Sequence, residues 1–182
     1  MVHLPSLAAR VRISARAEPM TVTLRPATAA DAAAICAIHN EGIVDRVATL
    51  DTDLRTPEII RRWLDDRSPR HPVVVAEINE GIVGWGSLNR FNPRAAYDHV
   101  ADFSVYVARH RRGQGFGRQI LDRLIALGRE HGFHKLVLSA LASNRAGFAL
   151  YERAGFAHVG VYREQGLIDG RWADVAVMER LL

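Results

Sequence analysis

The stretch Tyr106-Val-Ala-Arg-His-Arg-Arg-Gly-Gln-Gly-Phe-Gly-Arg118 constrains this chain more than any other. It separates an alternating segment, His99 to Ala108, from an amphipathic one. The latter begins at Arg118, carries Ile120, Leu121, Leu124, Ile125 and Leu127, and ends near Gly132. A period of two giving way to 3.6 is a strand feeding a helix. Gly113, Gly115 and Gly117 let the turn between them close tightly with its amides unobstructed, and the helix start adds partial positive charge. Such a junction is an anion site suited to pyrophosphate, with Arg109, Arg111, Arg112 and Arg118 as further donors. The competing reading is an ordinary solvated loop, where Gly and Arg also cluster. No Gly-Lys-Ser/Thr ending is present to make a P-loop, and the turn comes too late, after hairpins, for a Rossmann start.

The remaining segments surround this junction with strands and helices. Thr21 to Arg25 alternates as a half-buried strand. Thr28 stands three residues before Asp31, a capping-box spacing, and Ile35, Ile38 and Ile43 follow at helical intervals, so a helix is expected from Ala29 to Val44. A short helix starts near Thr56 with Pro57 in its first turn, placing Ile59, Ile60, Trp63 and Leu64 toward the core. His71 to Ile78 and Ile82 to Leu88 read as a hairpin around Asn79-Glu80-Gly81. Lys135 to Leu141 is an apolar run suited to a strand covered on both faces. Asn144 to Ala154 is helical and closed by Gly155, and Phe156 to Arg163 and Ala173 to Leu181 form strands around a turn at Gly166 to Gly170. The order βααβββαβαββ mixes hairpins with one strand-helix-strand crossover, which gives an α+β class on a mixed sheet.

Composition narrows the partners. A chain of 182 residues with 48% apolar side chains is one compact domain. Of the formal charge of +4, half comes from Arg10, Arg12 and Arg16 against Glu18, and Lys135 is the sole lysine. The rest is too weakly basic for a nucleic-acid partner. Cys36 is the single cysteine, so neither an intrachain disulfide nor a cysteine metal site can form; a cytoplasmic protein fits this. No apolar run approaches the roughly 20 residues of a membrane helix. The eight histidines show no metal spacing, and no metal is expected. Residues 1–19 are expected to be a disordered extension ahead of one domain at 20–182.

Arg112-Gly-Gln-Gly115-Phe-Gly117 matches the R/Q-x-x-G-x-G/A signature, and the chain resembles the GNAT N-acetyltransferase superfamily, in which this turn binds the pyrophosphate of coenzyme A. Asn144 and Leu150-Tyr151-Glu-Arg-Ala-Gly-Phe156 resemble that family's second cofactor motif. The likeness runs from Thr21 to Leu182 in element order. It implies the acyl-CoA N-acyltransferase fold, a mostly antiparallel sheet of about seven strands flanked by about four helices. It also implies acetyl-CoA as donor, and contacts to it from Val105, Tyr106, Val107, Arg112, Gly113, Gln114, Gly115, Phe116, Gly117, Arg118, Asn144 and Tyr151.

Within the superfamily the chain looks like the branch that acetylates phosphinothricin, methionine sulfoximine and arsinothricin, glutamate-like amino acids with a free α-amine. The marks are Leu24-Arg-Pro-Ala-Thr-Ala-Ala-Asp31, Arg94-Ala-Ala-Tyr97, Phe103-Ser-Val-Tyr106-Val and Arg171-Trp-Ala-Asp174. Asp45-Arg-Val-Ala-Thr49 puts arsinothricin-like members first and phosphinothricin-like ones close behind. Two positions depart from the pattern. Asp102 stands where phosphinothricin acetyltransferases carry a catalytic glutamate, one methylene longer, so a bridging water has to make up the reach. Asp51 stands where they carry an arginine, and Arg46 or Arg94 is left to hold the acceptor's far anionic group. Members of the branch resemble homodimers, which suggests a dimer here.

Alternation puts Asp102, Ser104 and Tyr106 on one face of their strand. That face either meets solvent or a partner, or lines the acceptor cleft. On the second reading Asp102 takes the ammonium proton through water, and the amine attacks directly in a ternary complex. The resemblance implies that the amide of Val105 or Val107 polarises the acyl carbonyl and that Tyr151 protonates the departing thiolate; the plain alternative for Tyr151 is a core aromatic. Arg46, Arg94, Tyr97 and Tyr106 are the candidate acceptor ligands. Cys36 reads as core, His39 as a satisfied packing histidine, and Trp63, Trp85 and Trp172 as core or interface anchors. Two rival functions share the cofactor motifs, an acetyltransferase for protein N-termini or another amine, and a coenzyme-A-binding module without chemistry.

Overall fold

A computed structural model describes residues 21–182, and the extension expected at 1–19 lies outside the described residues. Seven strands form one sheet in the order β1-β2-β3-β4-β5-β7-β6. The strands are β1 (Thr23–Pro26), β2 (Val73–Ile78), β3 (Gly81–Arg90), β4 (Val100–Val107), β5 (Lys135–Leu141), β6 (Ala157–Ile168) and β7 (Arg171–Leu181). The helices are α1 (Ala32–Val44), α2 (Pro57–Asp65), α3 (Phe116–Glu130) and α4 (Arg145–Arg153). Every neighbouring pair is antiparallel except β4 and β5. The α+β reading and the crossover through α3 therefore hold.

Strand alternation sorts the core into two layers. Val74 and Ala76 of β2 and Phe103 of β4 pack with Ile120, Leu121 and Leu124 of α3 on one face. Val73 and Val75 turn the other way, to Ile35 and Ile38 of α1, Ile60 of α2 and Trp85 of β3. Gly86 sets how closely α3 lies on the sheet: a Cβ there would meet Ile120 at 2.6 Å, Leu124 at 2.9 Å and the Ser104 carbonyl oxygen at 3.0 Å. At the start of α1 the Asp31 carboxylate accepts from the Thr28 amide at 2.7 Å and takes two bonds from Arg25, which holds its pKa down near 2.

Three expectations are corrected. Ile59 is 37% exposed, whereas Ile60 is buried and Trp63 and Leu64 pack half-buried against the core, because the nine-residue amphipathic α2 presents only a narrow face to it. The last hairpin turns at Asp169-Gly170, not across Gly166 to Gly170: both residues have positive φ, 49° and 75°, the two-residue turn whose twist matches the strands it joins. The strand ends expected at Arg163 and Ala173 move with it to Ile168 and Arg171, and of the two roles expected for Trp172, 64% exposed there, the interface one is left.

Candidate active site

The parallel pair β4 and β5 is joined at only three positions, Val100 with Lys135, Ala101 with Leu136 and Asp102 with Val137. Beyond Asp102 the two strands part, β4 continuing against β3 alone and β5 against β7 alone. The opening is a cavity of about 210 Å³ walled by Asp102 to Tyr106 on one side and Leu138 to Leu141 on the other. Asn144, Tyr151 and Val175 complete its floor, and Ala48, Thr49 and Leu50 come over it from the loop after α1. Broken strand pairing leaves main-chain groups of β4 and β5 without a sheet partner, so the cleft walls can hydrogen-bond a ligand as a strand would.

Asp102 sits at the vertex of this opening. Burial pushes its pKa up to about 6, and a hydrogen bond from Asn89 works against that rise. A carboxylate in this range is ionised for most molecules at neutral pH yet basic enough to take a proton. Tyr151, 9% exposed, packs edge-on against Phe103 at 5.7 Å and lines the cavity. Its hydroxyl makes no hydrogen bond among the described residues, and burial lifts its pKa to about 12, so it keeps its proton. Tyr106 stacks on Trp85 with centroids 4.7 Å apart, and burial lifts its pKa to about 12 as well, eased by a hydrogen bond with Thr49.

The turn before α3 supplies the second half of the site. Gly113 and Gly115 lie at φ 76° and 88°, a region that disfavours any side chain, and a Cβ at either would point into open space. Amides of residues 113–117 have no hydrogen-bond partner among the described residues. Five adjacent free donors at the head of a 15-residue helix form a cradle that can accept an anion. Gly117 instead meets Leu150 of α4 at 3.4 Å, which joins the two motifs in space. Asn144 caps α4, its Oδ1 accepting from the Gly147 amide at 3.0 Å.

Side chains expected to help this turn are committed elsewhere. Arg112 and Arg109 both grip Asp45, at 2.5 and 2.6 Å, and the guanidinium of Arg109 holds the Asp45 carboxyl below the usual range. Arg118 pairs with Asp122 at 2.8 Å and Gln114 donates to the His110 carbonyl. Phe116 is buried beneath the turn. The donors this turn leaves open are therefore main-chain amides, with paired arginines around them.

The acceptor candidates are scattered. Arg46 holds Asp169 through two bonds of 3.0 and 3.1 Å, tying the tip of the last hairpin to the loop that roofs the cavity. Leu50 lies under the same hairpin, against Gly166. Arg94 and Tyr97 sit in the loop after β3, with Tyr97 packed edge-on to Phe91, and neither lines the cavity. His39 packs between Trp85 and Tyr106, but its ring nitrogens lack hydrogen-bond partners among the described residues, and Asp51 stays 3.5 Å away. It is thus a packing histidine that is not satisfied, held neutral by burial. Cys36 is buried, donates to the Arg55 carbonyl, and has its thiol pKa raised by burial.

The sequence reading missed the β5 wall and Leu50, which carry no chemical signature, and it missed Asn89. Asn89 shares a strand face with Trp85 and Ser87, a polar run on a central strand, and only the register that sets it opposite Asp102 reveals its place. Among the described residues no cluster of His, Cys, Asp or Glu could hold a metal, and no helix is long and apolar enough to cross a membrane.

The model of the acetyltransferase (GNAT) family matches residues 37–156, the span that contains the cradle, the splayed strands, Asp102 and Tyr151. The chain belongs to the GNAT acetyltransferase family. Within that family it is 32% identical over 165 residues to the L-methionine sulfoximine/L-methionine sulfone acetyltransferase of Pseudomonas aeruginosa, covering 88% of this chain and 94% of that one. The phosphinothricin acetyltransferase of Sinorhizobium meliloti, solved in complex with acetyl-CoA, superposes with a TM-score of 0.83 at 31% identity, covering 90% of this chain and 89% of that one. A ribosomal-protein-alanine N-acetyltransferase from Brucella melitensis gives 0.85 at 36% identity, covering 88% of this chain and 99% of that one.

Proposed function

We propose that this GNAT enzyme transfers the acetyl group of acetyl-CoA to the α-amine of a small glutamate-like amino acid, of the arsinothricin or phosphinothricin type, and so detoxifies it. One observation carries the reading: a raised carboxylate, Asp102, and a protonated phenol, Tyr151, line the same cleft, beside a five-amide anion cradle. The names of the relatives support the acceptor class.

Residues 112–117 hold the diphosphate arm, and the free amides of β4 at Val105 and Val107 take the acyl end. Bound acetyl-CoA supplies an acetyl group activated as a thioester. Asp102, ionised above about pH 6, removes the ammonium proton through a water, its side chain being one methylene shorter than a glutamate's. The Val105 or Val107 amide donates to the carbonyl oxygen as negative charge grows on it. The amine nitrogen attacks the carbonyl carbon and the C–S bond breaks; Tyr151 hydrogen-bonds the departing sulfur, and the thiolate takes up the second proton that the acylated nitrogen sheds. From a phenol near 12, complete transfer to a thiolate of pKa about 8.5 is uphill by roughly 3.5 units, about 5 kcal/mol, so this bond stabilises developing charge rather than driving the step.

Tyr106, which lines the cleft, and Arg46, in the loop that roofs it, are proposed to hold the acceptor, while Arg94 and Tyr97 lie outside the cleft. Arg46 must exchange Asp169 for the substrate, and an exposed pair of this kind is worth about 1 kcal/mol or less, so the exchange is cheap. A cytoplasmic location is proposed, where the acetyl-CoA donor would be at hand. A homodimer is proposed as well, with the exposed Val161 and Trp172 of the last hairpin offering an apolar face to a second copy.

Likeness to the Brucella enzyme favours a second reading, acetylation of a protein N-terminus. A panel of glutamate analogues, methionine sulfone, neutral amino acids and peptides, read by thiol release and mass of the N-acetyl product, decides between them. Turnover confined to free amino acids supports the proposal. Turnover confined to peptides overturns it.

A further inference from the structure

Arg67 is a half-buried guanidinium that makes no ion pair among the described residues. It lies after α2 over the face of Trp63, 4.9 Å from the ring centre, and desolvation lowers its pKa to about 10. Its Nε donates to the His71 carbonyl at 2.8 Å, one Nη to the Leu88 carbonyl, and the other to Asn89 Oδ1 at 3.1 Å. Ser87 Oγ donates to the same Oδ1 at 2.9 Å. A guanidinium can only donate, so these contacts force the oxygen of Asn89 toward Arg67 and its NH2 the opposite way. On that side Nδ2 donates to Ser104 Oγ at 3.2 Å, and the amide hydrogen-bonds Asp102, its direct partner across the strands.

We propose that Arg67 and Asn89 form a positioning relay for Asp102, in which Arg67 fixes the sense of the Asn89 amide and the amide holds the carboxylate ionised and aimed into the cleft. The inference rests on Asp102 being the base. An asparagine left free could flip and set its carbonyl against the carboxylate, which would disfavour the charge. A buried cation without a counter-ion is expensive unless something requires it. Here its field reaches Asp102 through one polarised amide.

The other groups around Asp102 cannot replace the relay. Tyr106 on its own strand and Tyr151 on α4 face it as neutral phenols, and Asp51 reaches only as far as Tyr106. On β5 the opposite residue is Val137, and Lys135 is paired with Glu179.

Titration of Asp102 by carboxyl 13C NMR, beside the pH profile of kcat/KM, tests the relay in Asn89→Ala, Arg67→Met and Asp102→Asn. Both measurements report a midpoint, which does not depend on the fraction of protein folded. Asn89→Ala should move the Asp102 midpoint and the acidic limb up together by about one pH unit, and Arg67→Met by about half as much. At pH 6 this is a loss of about five-fold in kcat/KM that fades above pH 8. An Asp102 midpoint unmoved in both variants overturns the relay. Retention in Asp102→Asn of a limb near pH 6, below the one set by the amine itself, overturns the base assignment instead, and leaves the NMR midpoint to judge the relay alone.

Discussion

Asp102→Asn should make the protein more stable and less active at once. Folding raises this carboxyl from an ordinary 3.8 to about 6, chiefly by desolvation. An acid whose folded pKa is raised destabilises the fold when ionised. The penalty is absent below pH 3.8, grows through the interval up to about 6, and is complete above it. Two units correspond to about 3 kcal/mol as a ceiling, and partial access to the cleft brings the expectation to about 1 to 3 kcal/mol at pH 7.5. For a domain of this size that is roughly 3 to 9 °C in Tm. At pH 4.5 the gain should shrink to about 1 kcal/mol or less. Asparagine is nearly isosteric and can still accept from Asn89, so packing is unchanged. Turnover should fall by about 10²-fold or less at neutral pH, and the deficit should narrow as pH rises and the amine loses its proton unaided. Thermal unfolding from pH 4.5 to 8, with initial rates across the same range, provides both readouts. A Tm difference that does not vary with pH, or a less stable variant at pH 7.5, refutes the desolvation argument; a rate loss independent of pH refutes the role as base.

Three further substitutions separate the parts of the site. Tyr151→Phe should lower kcat by about 10- to 100-fold, the low end for general acids because full transfer is uphill, with Tm within about 2 °C; an unchanged kcat would make Tyr151 a core aromatic only. Gly115→Val, at φ 88° with open space beyond, should weaken acetyl-CoA affinity by at least about 10²-fold and destabilise the turn by about 1 to 2 kcal/mol, measured by calorimetry and urea unfolding. Gly86→Ala drives a methyl against Ile120 and the Ser104 carbonyl, and urea unfolding should show a loss of about 1 to 3 kcal/mol.

Local patterns carried much of this architecture. The switch of period at residues 108 to 118 located the anion cradle, and the alternation of Asp102, Ser104 and Tyr106 marked a polar face on a central strand. Both are properties of contiguous residues, which a sequence displays directly. The parting of β4 from β5 is not, since it depends on where pairing stops. Nor are the partners of the arginines: Arg112 finds Asp45, and Arg46 finds Asp169, 123 positions away. Arginines that looked available for phosphate are thus paired within the protein. Asn89 gained its place only through register, and the hairpin turn fell at Asp169-Gly170 because two successive positive φ angles suit that pair better than the glycine before it.

Isothermal calorimetry of acetyl-CoA binding to the purified protein tests most directly whether the cradle and the parted strands make a donor site. Saturable heat at one acetyl-CoA per chain, displaced by free coenzyme A and greatly weakened in Gly115→Val, is the result expected. A folded protein that takes up no acetyl-CoA would contradict the account.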